Sequence, residues 1–114
     1  MSKISFEGIG QQVATFEAAA GVTAGHVVKM ADNGKVSKCS EGDDFCGVAL
    51  NVRSGCAGVQ LRGFVTLNCA GTETVGYVNL VADGSGGVKK AASGGVTTLV
   101  VSVDAAAKTC VVFL

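Results

Sequence analysis

The sequence predicts an all-β fold, a small barrel or sandwich built from two similar half-units behind a polar N-terminal arm. Three observations carry this. Seventeen glycines accompany many valines, with no proline or tryptophan, in 114 residues, a composition suited to short strands joined by tight turns. Apolar and polar residues alternate with period two in several segments. Finally, "AGHVVKMADNGKV" (24–36) is echoed by "VGYVNLVADGSGGV" (75–88).

Taken in order, residues 1–18 read as an arm. Residues 1–12 carry only Ile4, Phe6 and Ile9 as apolar anchors, too few to make a core, so the segment is either mobile or ordered against something else. "VATFEA" (13–18) alternates as a weak strand, with Val13, Thr15 and Glu17 opposite Ala14, Phe16 and Ala18. Gly21 and Gly25 make "AAAGVTAG" a loop. "HVVKM-ADNG-KVSKC" is then a hairpin, because Asn33 and Gly34 tolerate the positive φ of tight turns. "SEGDD" (40–44) is a polar loop, "FCGVALNV" a buried strand and "RSGCAG" a turn.

"VQLRGFVTLN" (59–68) reads as one amphipathic strand, with Val59, Leu61, Val65 and Leu67 on one face and Gln60, Arg62, Thr66 and Asn68 on the other. Phe64 falls on the polar side, next to Gly63, which implies either a glycine kink or packing on a neighbouring element or subunit. The remaining strands are "VGYVNLVA", "VKKAA", "VTTLVVSV" and "TCVVFL", separated by "DGSGG", "SGG" and "DAAAK". Shifting the first half by 51 or 52 positions superposes Gly25 on Gly76, Val27 on Val78 and Asp32 on Asp83, a match of pattern more than of identity. The half-units are then about 21–70 and 71–114 within a single domain spanning 19–114. A half-unit alone leaves open edges, and pairing two of them closes a barrel or sandwich.

Composition also bounds function. Nine basic and nine acidic residues cancel and are scattered, so the basic stripe of a nucleic-acid or anionic-membrane binder is missing. The N-terminus lacks the apolar core of a signal peptide, and no apolar run approaches the roughly 20 residues of a membrane helix; synthesis in a cytoplasm is the expectation. Five cysteines are an odd number without CxxC spacing, which favours free, mostly buried thiols over disulfides or metal. Cys56 and Cys110, beside small or apolar residues, read as core thiols.

Chemistry-bearing constellations are scarce. The only histidine, His26, is matched by Tyr77 in the other half, which favours a structural side chain over a general base. Glu41, Asp43 and Asp44 lack the alternating ligands of a calcium loop, and "DGSGG" lies between strands instead of opening a phosphate-binding helix. Cys46 or Cys56 as a nucleophile needs a histidine or a positive field that nothing places nearby. The expectation is a non-enzyme with no catalytic, cofactor or metal site.

The order of motifs resembles the small capsid cement, or head decoration, proteins of tailed bacteriophages. The matching pieces are "GHVVKMADNGKV", "CGVALNV", "VQLRGFVTL", "VGYVNLVADGSGGV" and "SVDAAAKTCVVFL", within residues 21–114. The resemblance implies a small β-barrel or β-tulip-like domain with an extended N-terminal arm, in a virion protein on the outer capsid surface that braces the shell by binding the major capsid protein lattice. It also implies a homotrimer and an N-terminal arm reaching onto the capsid or a neighbouring subunit. In this chain that arm offers Ile4, Phe6, Ile9, Val13 and Phe16 as contacts. The alternative is a small ligand- or carbohydrate-binding β module, although one tyrosine, five phenylalanines and no tryptophan are a poor supply for a sugar-stacking platform.

Overall fold

A computed structural model describes residues 10–70 and 73–114. Ten strands and no helix occur among them: β1 (Gln12–Ala18), β2 (Val27–Asp32), β3 (Lys35–Lys38), β4 (Gly47–Arg53), β5 (Cys56–Arg62), β6 (Phe64–Asn68), β7 (Gly76–Ala82), β8 (Val88–Lys90), β9 (Val96–Asp104) and β10 (Thr109–Phe113). The first five form a closed barrel in the order β1-β3-β2-β4-β5, and the last five a sheet in the order β6-β10-β9-β7-β8. Both sheets follow one plan. Listed from the hairpin outward they run β3-β2-β4-β5-β1 and β8-β7-β9-β10-β6.

The all-β expectation and the two half-units are therefore present, with the unit boundary displaced. β1, which the sequence placed in an unrepeated arm, holds the same place in its sheet as β6. The first unit runs from β1 to β5, the second from β6 to β10, and they meet at Gly63. Barrel closure comes from β1 within the first unit instead of from pairing the two halves. β1 lies antiparallel to β5 from Gln12 to Glu17 and parallel to β3 at Glu17–Lys35 and Ala18–Val36.

"VQLRGFVTLN" is consequently two strands of two different sheets. Gly63 adopts φ +105°, and a Cβ there would sit 2.8 Å from backbone atoms of Gln11, so only glycine lets the chain turn between sheets at this point. Gln60, expected on the solvent face, is buried and acts as a clasp for the turn. Its side-chain amide donates to the carbonyls of Arg62 and Phe64, each at 3.1 Å, and its Oε1 accepts from the Gln11 side chain at 3.2 Å. Burying this polar side chain is tolerable because its bonding capacity is used.

The hairpin turns form where expected, by varied means. Gly34 takes φ +66° while Asn33 does not enter the positive region. In the longer second turn the Asp83 carboxylate accepts from the amides of Ser85 at 2.7 Å and Gly87 at 3.1 Å. Asp104 caps the β9–β10 turn through the amides of Ala106 and Ala107.

Two apolar clusters result. Val28, Val36, Ala49, Ala57 and Val59 fill the first barrel, flanked by Phe16, Ala18 and Leu61. The larger cluster contains Leu67, Leu80, Val88, Val100, Cys110 and Val112 from the second sheet, together with Val27, Val48, Cys39 and Phe45 of the first unit. Val27 and Val48 point out of the first barrel, so the outer face of one unit completes the core of the other.

The loop between β3 and β4 stitches the units further. Gly42 N–H donates to the Ala82 carbonyl, and Ala82 N–H to that of Asp43, both at 2.9 Å. Across the units Lys89 Nζ lies 2.5 Å from Glu41 Oε2, while within the first unit Lys29 Nζ holds the loop at 2.6 Å from Asp43 Oδ2. The Lys29 hydrogen bond, then the Ser40 amide, hold Asp43 below its ordinary pKa of 3.8; Lys89 holds Glu41 below 4.5. Depressed carboxylate values contribute stability above the unfolded-state pKa that is lost as pH falls through the folded-state value. Thermal midpoints measured across acidic pH should hold above about pH 5 and decline below about pH 4. The double variant Glu41→Gln/Asp43→Asn should start lower and decline less. An unchanged slope would show that these two pairs do not link folding to pH.

Candidate interaction surface

Of the five arm residues expected to contact a partner, Ile4, Phe6 and Ile9 lie outside the described residues. The other two are on opposite faces of β1, as period two requires. Val13 points outward and is 50% exposed. Phe16 is half-buried against the interior of the first barrel and serves the fold.

A larger apolar surface lies on the outer face of the second sheet. Tyr77 on β7 is paired with Leu99 on β9. Leu99 is paired with Phe113 on β10, and Phe113 with Phe64 on β6. The four side chains form one row across four strands, roughly 14 Å long at the usual inter-strand spacing. Tyr77 is 77% exposed and the neighbouring Val75 65%; Leu99, Phe113 and Phe64 are half-buried. The rings of Phe64 and Phe113 meet with centroids 4.9 Å apart, tilted by 60°, a geometry aromatic pairs favour. Three of the chain's six tyrosine and phenylalanine residues thus sit on a face turned away from the core.

The duplication gives this face a counterpart in the first unit. By strand register, which makes Val27 and not the sequence match His26 the counterpart of Tyr77, the equivalent row in the first unit is Val27, Val48, Gln60 and Val13. Val27, Val48 and Gln60 are buried there, at 2% exposure or less, the two valines in the core shared with the second sheet. One position in the fold is therefore a packing face in the first unit and an open apolar face in the second. The arm enters beside it: a Cβ on Gly10 would lie 3.5 Å from the Phe113 ring. The sequence carried one sign of this surface, Phe64 on a polar strand face. Tyr77, Leu99 and Phe113 belong to strands whose pairing sequence alone does not give.

His26 stands over Gly86, where any Cβ would come within 2.4 Å of the imidazole, and Val27 N–H donates to the Gly86 carbonyl at 3.0 Å. The cleft there, about 260 Å³, is lined by His26, Lys38, Thr23 and the Gly84–Gly86 turn, with Cys39 at its wall. Among the described residues no three His, Cys, Asp or Glu side chains gather as a metal-ligand set, and no helix is long and apolar enough to cross a membrane.

All five cysteines are free; Cys39, Cys69 and Cys110 are buried, and Cys46 is half-buried. Cys56 is exposed, a correction to its reading as a core thiol: β5 turns Ala57 and Val59 into the barrel, so alternation points the Cys56 side chain out of it. Burial pushes the Cys39 thiol up to about 11. Cys110 is pushed up to about 12 by burial and then by its neighbour Cys69. Both stay protonated at neutral pH, the opposite of an activated nucleophile.

No protein-family model matches the chain, and comparison with curated proteins finds no match.

Proposed function

We propose that this protein is a structural decoration protein of a tailed-phage capsid, which braces the shell by binding the major capsid protein lattice from outside. The observation that carries the reading is the row Tyr77–Leu99–Phe113–Phe64. It is an apolar, aromatic strip on a rigid sheet, at the place where the N-terminal segment joins the domain. The order of motifs that resembles cement proteins supports it, as does an all-β domain of the kind that resemblance implies. Aromatic side chains supply large contact area at low entropic cost, and interface energy concentrates in such anchors. A net charge of zero suits docking on a protein lattice, where many identical weak contacts add through avidity. On this reading Ile4, Phe6 and Ile9 extend the contact beyond the row, the copies assemble as trimers on the shell, and the protein resides on the virion surface after synthesis in the host cytoplasm.

The test is co-sedimentation and imaging of the purified protein with expanded phage capsid shells. Tyr77→Ser is expected to weaken binding by roughly tenfold or more, the cost of losing an aromatic anchor, with the thermal midpoint unchanged because Tyr77 is exposed. A truncation confined to residues 2–8 should also weaken binding and leave the domain folded. The cut cannot extend through residue 16, since β1 is a barrel strand. Failure of the wild type to bind any shell, with binding on a glycan array instead, would replace this reading by that of a carbohydrate module.

A further inference from the structure

Cys69 and Cys110 are neighbours within the core of the second unit. β6 and β10 are antiparallel with Leu67 opposite Cys110 and Asn68 opposite Thr109. Cys69, one residue beyond the end of β6, lies across from Lys108 and donates its N–H to the Lys108 carbonyl at 2.9 Å. Both thiols lie inside a single apolar cluster, with Cys69 near enough to Cys110 to help raise its pKa.

The first unit repeats this geometry with different residues. There Phe16 is opposite Ala57 and Glu17 opposite Cys56, and Ala18 N–H donates to the Gly55 carbonyl at 2.8 Å. Ala18 and Ala57 are thus the counterparts of Cys69 and Cys110. The fold brings these two positions together in both units and is satisfied by two methyl groups. A pair of sulfurs at the same place in the second unit is chemistry the architecture does not require.

We propose that Cys69 and Cys110 are a disulfide-forming pair, closed by exchange with an oxidised low-molecular-weight disulfide such as glutathione disulfide. Cys69, at the strand end, attacks one glutathione sulfur as thiolate and releases the first glutathione as a thiol. Cys110 then attacks the mixed disulfide at the Cys69 sulfur and releases the second. One S–S bond forms and one breaks; the two cysteines are oxidised, the glutathione disulfide is reduced, and the two cysteine protons end on the two glutathione thiols. The product fastens the end of β6 to β10, the strand pair that carries Phe64 and Phe113. In the folded protein the reaction is slow, because both thiols are buried and an oxidant in solution does not reach them.

This inference is independent of the shell-decoration reading and is tested without a shell. The full chain is unfolded in denaturant, refolded in a glutathione redox buffer so that every thiol is sampled, quenched with an alkylating agent, and mapped by non-reducing peptide digestion. The expected result is a fall from five free thiols to three, a mass lower by two hydrogens, a Cys69–Cys110 cross-linked peptide as the dominant species, and a higher thermal midpoint that reduction reverses. Cys69→Ala/Cys110→Ala, which reproduces the Ala18–Ala57 arrangement, should fold and keep its three remaining thiols free. Five alkylated cysteines after refolding to the native state, or a dominant Cys39–Cys46 or intermolecular Cys56 cross-link, overturns the proposal.

Discussion

Leu80→Ala is expected to lower the unfolding free energy by about 2–5 kcal/mol, the range for truncating a fully buried leucine. Leu80 is completely buried on β7, paired with Val96 of β9 on one side and Lys90 of β8 on the other. Its side chain belongs to the cluster in which both units take part. Truncation removes transfer free energy and leaves a cavity whose walls cannot collapse freely, because they are strands of two sheets held by their own ladders. A domain of this size has roughly 5–15 kcal/mol of total stability, so the variant forfeits a large share. Because the cluster is common to the two units, they should unfold together. Urea denaturation followed by two probes, one reporting each sheet, measures both the loss and the coincidence. Leu50→Ala, at a 38% exposed position, is the comparison and should cost less. A Leu80→Ala loss within about 1 kcal/mol of that comparison, or separate transitions for the two sheets, would show that the shared core does not couple them.

The strands were legible because their signals are local. Period-two alternation marks β7 and β10, and Asp-Asn-Gly or glycine-rich turns bound the two hairpins. The echo between residues 24–36 and 75–88 was real, and its two members are the β2–β3 and β7–β8 hairpins. What stayed hidden depends on atoms distant in sequence. Gly63 reads as a kink within one strand because a lone glycine is ambiguous between kink and break. The deciding atoms are those of Gln11, about fifty positions away. Gln60 does point out of its barrel, as alternation required, yet at that point "out" is covered by the second unit. β1 was a weak signal because its identity as a repeat of β6 is one of register, with Val13 and Phe16 standing where β6 has Phe64 and Leu67.

The candidate surface divides the same way. Phe64 could be noticed as a residue on the wrong face, because the anomaly is internal to its own strand. That Phe113, Leu99 and Tyr77 continue it is a statement about sheet order, which places β10 between β6 and β9. Phe16 was read as a contact from its position in the arm, although its own alternation with Val13 already separated the two faces. Apolar character marks a residue as needing cover; only the topology says whether the cover is the same chain or another molecule.

Gly87→Ala is expected to cost about 3 kcal/mol, the upper part of the usual range for overpacking, because the obstruction is backbone. A Cβ at Gly87 would lie 2.3 Å from the Asn68 carbonyl oxygen and 2.8 Å from its carbon. Asn68 ends β6 and Gly87 precedes β8, the two outermost strands of the second sheet. In the first unit the corresponding strands, β1 and β3, close the barrel through a parallel pairing of two residues. In the second the strand ends instead approach through a glycine too tightly for any side chain, so the substitution must force β6 and β8 apart. Relief by loop movement is limited: Gly87 N–H donates to Asp83 Oδ1, and its carbonyl accepts from the Asp83 N–H at 3.1 Å. Gly34→Ala is the informative contrast, since no atom lies within 4 Å of the added Cβ and only the +66° φ opposes it, a strain of roughly 1–2 kcal/mol. Hydrogen exchange should locate the Gly87→Ala damage at the amides of Val88 and Cys69 and leave the β4–β5 ladder protected. A Gly87→Ala cost equal to or below that of Gly34→Ala would mean that contact between β6 and β8 is incidental. The second unit would then be an open sheet whose shape depends on the first.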